Sequence, residues 1–120
     1  MSRRYLTEDQ SKSALKRGKC IEAFVGGFSS GNKKTIQWAS VSRDGEQLVG
    51  SLWEVYDEGD ENYLDLYSFT PANGDYDTPI KTVKSSDLKE IASLLGFDVL
   101  NYVNQGVVQD EYNDYLGTIT

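Results

Sequence analysis

The stretch that decides the fold runs from residue 35 to residue 56 and has the sequence TIQWASVSRDGEQLVGSLWEVY. Residues with β-branched or aromatic side chains, which favour strands, are frequent on both sides of Asp44 and Gly45. An Asp-Gly pair is typical of a two-residue type I′ turn, because both central positions of that turn need a positive φ. The stretch therefore predicts an antiparallel hairpin with its turn at Asp44 and Gly45.

This turn sets the pairing of the two strands, beginning with Arg43 opposite Glu46. One face of the hairpin then carries Gln37, Ala39, Val41, Leu48, Gly50 and Leu52. The other face carries Ile36, Trp38, Ser40, Val49, Ser51 and Trp53. Because both faces hold apolar residues, either further layers of the chain cover both of them or a partner chain covers one.

Other segments before and after the hairpin also have strand patterns. Residues 20–25 form an apolar run that predicts a strand ended by the glycine pair that follows, and residues 29–34 predict a flexible connection. Residues 62–70 alternate between two faces and predict a third antiparallel strand of a meander. Residues 80–83 predict a short edge strand after a proline.

Helix patterns occur at both ends of the chain. A capping box beginning at Thr7 predicts a helix over residues 8–17. Residues 86–95 repeat apolar side chains with the helical period behind a capping residue, and a glycine follows them. They predict a second helix. Further helical turns are predicted over residues 98–106 and 110–116.

Strand patterns grouped before helix patterns predict an α+β fold rather than an alternating parallel one. We expect an antiparallel β-meander of three to four strands, with the C-terminal helices packed on one face and a short N-terminal helix. A chain of 120 residues has the size of one domain. We therefore expect a short basic helix over residues 1–18, with little apolar surface to bury, and a single α+β domain over residues 19–120.

The residue types that are missing bound the chemistry. The chain has no histidine and one cysteine, Cys20, which excludes Ser-His-Asp and Cys-His catalysis, an internal disulfide and a four-thiolate zinc site. The sequence contains no apolar run of the length of a transmembrane helix, and no apolar segment of a signal peptide follows its first basic residues. We therefore expect a cytoplasmic protein that is not an enzyme, uses no cofactor or metal and does not bind membranes.

Two loops resemble ligand-binding motifs in composition alone. Residues 57–65 are rich in oxygen ligands, but they lack the spacing of an EF-hand calcium loop. Residues 26–31 are rich in glycine and serine, but Asn32 stands where a phosphate-binding P-loop has its lysine. We therefore interpret the first as a solvated turn and the second as part of the flexible connection.

Charge is unevenly distributed along the chain. The formal net charge of −7 divides into +6 over residues 1–43 and −13 over residues 44–120. This asymmetry is typical of a polar partner surface or of two faces of opposite sign. The charges also cancel if the two segments fold beside each other, and we expect this ordinary mixed surface first. Six carboxylates within residues 54–65 repel phosphate, which disfavours nucleic acid as a partner, and they attract a basic protein.

These observations favour a non-enzymatic acidic protein that binds a basic protein partner, as an immunity or inhibitor protein binds a basic toxin or nuclease. The predicted binding residues are Trp53, Glu54, Asp57, Glu58, Asp60, Glu61, Tyr63, Asp65 and Tyr67. The alternative is a self-associating domain, forming a homodimer, with a small-ligand pocket between its sheet and its helices. The predicted dimer face comprises Ile36, Trp38, Val49 and Trp53.

Overall fold

A computed structural model of the chain describes residues 5–30, 33–60, 62–98 and 100–118. Within these residues, five antiparallel strands form one sheet in the order β4-β3-β2-β1-β5. The strands are β1 (Ile21–Ser30), β2 (Lys33–Asp44), β3 (Gln47–Tyr56), β4 (Lys81–Ser85) and β5 (Val103–Asn104). The helices are α1 (Glu8–Lys16), α2 (Leu88–Leu95), α3 (Val108–Thr118) and a short 3₁₀ helix, Leu66–Ser68. The predicted α+β class is confirmed.

The predicted hairpin forms, but its turn lies one residue further along the chain. Asp44 pairs with Gln47, so Gly45 and Glu46 occupy the two central positions. Gly45 has a φ of +63°, and no residue other than glycine has a positive φ in the described chain. A type I′ turn at Asp44 and Gly45 would require a positive φ at Asp44. When glycine is the first of the two central residues, it is the only residue of the turn that needs a positive φ, and this turn is the one that forms.

The shifted turn changes each strand partner by two residues and leaves the two faces of the hairpin as predicted. Trp38 lies opposite Trp53 instead of Ser51, and their rings stack with centroids 5.6 Å apart. Ile36 likewise lies opposite Val55 instead of Trp53. Side chains in a strand alternate with a period of two, so a shift by two residues keeps every side chain on its own face.

Both faces of the sheet are covered by the chain itself, which decides between the two alternatives that the hairpin left open. The first face packs against α1 and α2 through Ala14, Leu15, Ile21, Ala39, Val41, Leu52, Leu88, Ile91 and Leu95. The second face packs against α3 and the connection between β3 and β4 through Ile36, Trp38, Val55, Leu66, Phe69, Val108 and Tyr112. The sheet is therefore the middle of three layers, with α2 and α3 on opposite faces.

The predicted third meander strand over residues 62–70 is wrong. This segment is a loop that contains the 3₁₀ helix, and Leu66 and Phe69 are fully buried in it. The edge of β3 where such a strand would pair is occupied by β4, which confirms the predicted edge strand near residues 80–83. The apolar side chains of residues 62–70 are therefore used to cover the second face of the sheet.

The predicted end of the first strand is also wrong, because β1 continues through its glycine pair. A bulge between Phe24 and Gly26 accommodates the φ of +146° at Gly26. A Cβ atom on Gly27 would lie 1.8 Å from the Tyr115 hydroxyl oxygen, so the close approach of α3 requires glycine there. Ser29 pairs with Lys34, so this part of the predicted flexible connection is paired strand, and residues 31–32 lie outside the described residues.

The helix predictions have different outcomes. Helix α1 begins with the predicted capping box at Thr7, and α2 is capped by Asp87 and ends at the left-handed Gly96. Helix α3 confirms the prediction near residues 110–116 and begins two residues earlier. The helical turns predicted over residues 98–106 are wrong, because β5 forms there and pairs with the free edge of β1.

Candidate binding surface

The connection between β3 and β4, residues 57–80, is attached to the second face of the sheet beside α3. The Phe69 ring contacts the Tyr112 ring of α3 edge to face, with centroids 5.5 Å apart, and Tyr63 packs on Phe69 at 5.1 Å. A Cβ atom on Gly59 would lie 2.5 Å from the Phe69 Cζ and 2.7 Å from the Tyr112 Cε2. The close packing between the connection and α3 therefore depends on a glycine at this position.

Hydrogen bonds from neutral groups hold the carboxylates of this connection. Glu58 accepts from the backbone N–H of Thr70 at 2.6 Å and from the Thr70 hydroxyl at 2.9 Å. Asp57 accepts from the Tyr112 hydroxyl, and burial together with this bond raises the pKa of Tyr112. Asp60 accepts from the backbone N–H of Asn62 at 2.8 Å. These donors carry no charge, so the hydrogen bonds orient the carboxylates without pairing them with a cation.

Helix α3 adds acidic side chains next to this connection. The Gln109 amide nitrogen of α3 lies 3.5 Å from Asp65, which places the two segments side by side. Neither α3 nor residues 57–80 contain any lysine or arginine. We call the resulting surface the acidic face, and it comprises Asp57, Glu58, Asp60, Asp65, Asp110, Glu111 and Asp114.

The acidic side chains of the connection have no ion pair within the part of the chain that the structure describes. This holds for Asp57, Glu58, Asp60 and Asp65. The ion pair that is present among the described residues joins Lys12 and Glu8 on α1, on the other side of the sheet. Among the described residues, no cation therefore pairs with these four carboxylates.

Exposed tyrosines border the carboxylates. Tyr63 is 42% exposed and Tyr67 is 36% exposed, and Tyr76 also projects from the connection. Tyr67 packs edge to face on Trp38, with centroids 5.1 Å apart, so part of its ring is held rigidly by the core. Rigid aromatic rings with an accessible edge are typical components of protein interfaces.

The predicted binding residues fall into two groups. Asp57, Glu58, Asp60, Tyr63, Asp65 and Tyr67 lie together on the connection. Trp53 and Glu54 lie on β3 and are partly buried; Trp53 donates to the Ser40 hydroxyl at 3.1 Å, and Glu54 accepts from the Thr35 hydroxyl at 2.7 Å. The remaining predicted residue, Glu61, lies outside the described residues.

Sequence reasoning missed Glu22, a buried acidic residue beneath this surface. Glu22 is 2% exposed on β1 and accepts hydrogen bonds from the Tyr67 hydroxyl at 2.5 Å and from the Gly106 N–H at 2.9 Å. Burial raises the pKa of Glu22, and burial together with the Glu22 bond raises that of Tyr67. A single acidic residue within an otherwise apolar strand is the sequence feature that indicates such a site.

The residues of the predicted dimer face are not equally accessible. Ile36 is fully buried and Trp38 is 7% exposed, because residues 57–80 and α3 cover them. Val49 and Trp53 are partly buried. Only these last two side chains offer surface to a second copy of the chain.

Other features of the described residues bear on chemistry. Burial, with a smaller effect from Glu22, raises the pKa of Cys20, which disfavours the thiolate form that a nucleophile needs. No group of three or more cysteine, aspartate or glutamate side chains in the described ranges is placed to hold a metal ion. None of the helices in those ranges has the length and apolar character needed to cross a membrane.

Comparison of the chain with protein-family models, with curated proteins and with solved structures finds no match.

Proposed function

We propose that this chain is a non-enzymatic protein that binds a basic protein partner through the acidic face. The observation that carries the proposal is that Asp57, Glu58, Asp60 and Asp65, which have no ion pair among the described residues, share one surface with half-exposed tyrosines. Immunity and inhibitor proteins that neutralise a basic toxin or nuclease need such a surface, with negative charge and with aromatic side chains that can contact the partner.

The charge of the acidic face supports fast and selective association. Carboxylates without neighbouring cations attract the lysine and arginine side chains of a partner over about one Debye length, roughly 10 Å at moderate ionic strength. Such steering raises the association rate and repels acidic proteins and nucleic acids. Association should therefore weaken as the salt concentration rises.

The tyrosines supply the contact area that charge alone does not. Exposed charge pairs contribute about 0–1 kcal/mol each, so a stable complex also needs apolar area that is buried on binding. Tyr63 and Tyr67 are fixed by packing on Phe69 and Trp38, so they lose little conformational entropy when a partner covers them.

The test is affinity capture from a total protein extract of the source organism, with two charge-reversed variants for comparison. Asp65→Lys with Asp110→Lys changes the acidic face. Glu46→Lys with Glu90→Lys makes the same change in net charge at exposed positions in the β2–β3 turn and on α2. We expect basic proteins to be retained by the native chain and by the second variant, to be lost from the first, and to elute with salt.

Two results would contradict the proposal. One is equal loss of the captured proteins from both variants, which would show that net charge alone governs the interaction. The other is capture of partners that are acidic or that salt does not release.

A further inference from the structure

A pocket of about 160 Å³ lies on the second face of the sheet. Its lining combines polar residues of the connection between β3 and β4 with aromatic residues of β2, β3 and that connection. The aromatic residues are Trp38, Trp53, Tyr67, Phe69 and Tyr76. We call this space the aromatic pocket. It is smaller than small-molecule sites, which measure roughly 300–1,000 Å³, so its size fits a single side chain of a partner.

Three of these aromatic residues keep surface that a partner can reach. Tyr76 is 59% exposed, Tyr67 is about as exposed as Tyr63, and Trp53 is partly buried. The rings of Trp53 and Tyr67 are neighbours, because both contact the Trp38 ring. One is stacked on it with centroids 5.6 Å apart, and the other meets it edge to face at 5.1 Å. Packing on this buried ring fixes both positions before a partner arrives.

The other wall of the pocket is the end of the connection, residues 71–80, and both of its ends are tied to β3. The Ala72 N–H donates to the Glu54 carbonyl at 3.0 Å, and the Ile80 N–H donates to the Leu52 carbonyl at 2.9 Å. This wall is therefore in place without a ligand, which limits the conformational entropy that is lost on binding.

The charge of the lining is negative. Asp75 accepts from the Thr78 hydroxyl at 2.7 Å and from the Asp77 N–H at 2.9 Å, and these bonds lower the pKa of Asp75, so it is ionised at neutral pH. Glu54 contributes its backbone only, because its carboxylate accepts from Thr35 on the first face of the sheet. Among the described residues, no lysine or arginine belongs to the lining, and the connection contains none.

Aromatic walls together with a carboxylate suit an organic cation. An arginine guanidinium is planar and weakly hydrated, so it stacks on aromatic rings more readily than a lysine ammonium does, and its N–H groups donate to carboxylates. Tyr67 also borders the acidic face, so a partner bound there has side chains within reach of the pocket. We propose that the aromatic pocket holds an arginine side chain of the basic partner, an inference that rests on the proposed function.

The test uses two probes of nearly the same shape, N-acetyl-arginine methylamide and N-acetyl-citrulline methylamide, in which an oxygen replaces one nitrogen of the guanidinium and removes its charge. Amide and indole N–H NMR cross-peaks of the full chain are followed as each probe is added. We expect the arginine probe to shift the Trp53 indole and the amides of residues 71–80. We expect it to bind more tightly than the citrulline probe by roughly three- to tenfold, the effect of one cation–π contact.

Variants of the lining test the ring and the charge separately. We expect Tyr76→Leu and Asp75→Asn each to reduce the preference for the arginine probe. Tyr76→Phe keeps the ring and should leave the preference unchanged. Glu46→Gln removes the same charge as Asp75→Asn at an exposed position in the β2–β3 turn, and it should also leave the preference unchanged.

The inference is wrong if the native chain binds the arginine and citrulline probes equally. It is also wrong if a lysine probe of the same design binds as tightly as the arginine probe, or if Tyr76→Leu and Asp75→Asn keep the full preference. The probes contain no partner, so this experiment and affinity capture fail separately. Capture of basic proteins by a chain without an arginine preference would overturn this inference alone. Arginine binding in the pocket without capture would support the pocket and contradict the proposed function.

Discussion

Glu22 shows how one residue couples the core to the candidate binding surface. Its carboxylate lies on the second face of the sheet and accepts from Tyr67, whose ring edge belongs to the exposed surface, and from the backbone just after β5. No cation accompanies it within the described residues, so the charged form is stabilised by hydrogen bonds alone. Desolvation outweighs these bonds, and the pKa is raised above its usual value of 4.5.

Because the pKa of Glu22 is raised, the contribution of this residue to the stability of the fold falls as pH rises. The folded state holds the Glu22 proton more tightly than the unfolded state, so the contribution of this group is fully present below pH 4.5 and is lost as pH rises through the folded pKa. Glu22→Gln keeps the shape and removes the charge. We expect the free energy of unfolding of the variant, relative to the native chain, to increase between pH 4 and pH 8 in urea titrations. A difference that does not change with pH would show that Glu22 ionises in the folded chain as it does in the unfolded chain.

The docking of helix α2 on the sheet depends on a glycine in strand β3. A Cβ atom on Gly50 of β3 would lie 2.5 Å from the Ile91 Cγ2 and 3.3 Å from the Val83 Cγ2. Ile91 is fully buried at the centre of α2. The helix therefore approaches the sheet as closely as it does because β3 carries glycine at this point.

Gly50→Ala should separate α2 from the sheet. We expect a loss of about 1–3 kcal/mol in the free energy of unfolding, the usual cost of overpacking a core. Gly117→Ala is the matched control, because a Cβ atom there meets nothing within 4 Å and alanine favours the helix. Urea unfolding of both variants is the measurement. A Gly50→Ala variant as stable as the native chain would mean that α2 can shift without cost.

The helices and strands also show which parts of the fold could be predicted from the sequence. The faces of the hairpin, the capping box at Thr7 and the Asp87 cap were predictable, because each depends on side-chain period or on bonds between near neighbours. Residues 62–70 and 98–106 were assigned to the wrong structure for a shared reason. Each lies beside a sheet edge, and which segment pairs with that edge depends on competition between distant parts of the chain.

The same limit applies to the candidate site. The carboxylates of residues 54–65 could be selected from charge alone. The contribution of α3 could not, because its acidic residues come next to Asp65 only through the packing of Tyr112 on Phe69. A groove lined by α1, α2 and residues 98–102 likewise joins segments that are distant in sequence, and no local pattern indicates it.

Across the whole molecule, the two faces of the sheet carry different charge. Lys12, Lys16 and Arg43 lie around an open groove on the side of α1 together with Glu46 and Asp87, so charge there is mixed, whereas the acidic face lies on the side of α3. Both faces of the sheet are covered within one chain, so little apolar surface of the sheet itself is left for self-association.

We therefore expect the chain to be a monomer at tens of micromolar in sedimentation equilibrium, at low and at high salt. Covered sheet faces remove the hydrophobic reason for a permanent dimer. A dimer that salt does not dissociate would contradict this and would direct attention to Val49 and Trp53. A dimer present only at low salt would show instead that the oppositely charged faces of two copies attract each other.

The sequence by itself determined the hairpin, its two apolar faces, the capped helices and the excess of negative charge after residue 43, because these depend on neighbours along the chain. Only the tertiary structure decided what covers the second face, which segments occupy the edges of the sheet, and that Glu22 is buried. These features depend on residues far apart in sequence competing for the same space. The physical reason is that all segments of the chain compete for the same buried positions. The sequence of one segment therefore does not show whether that segment occupies them.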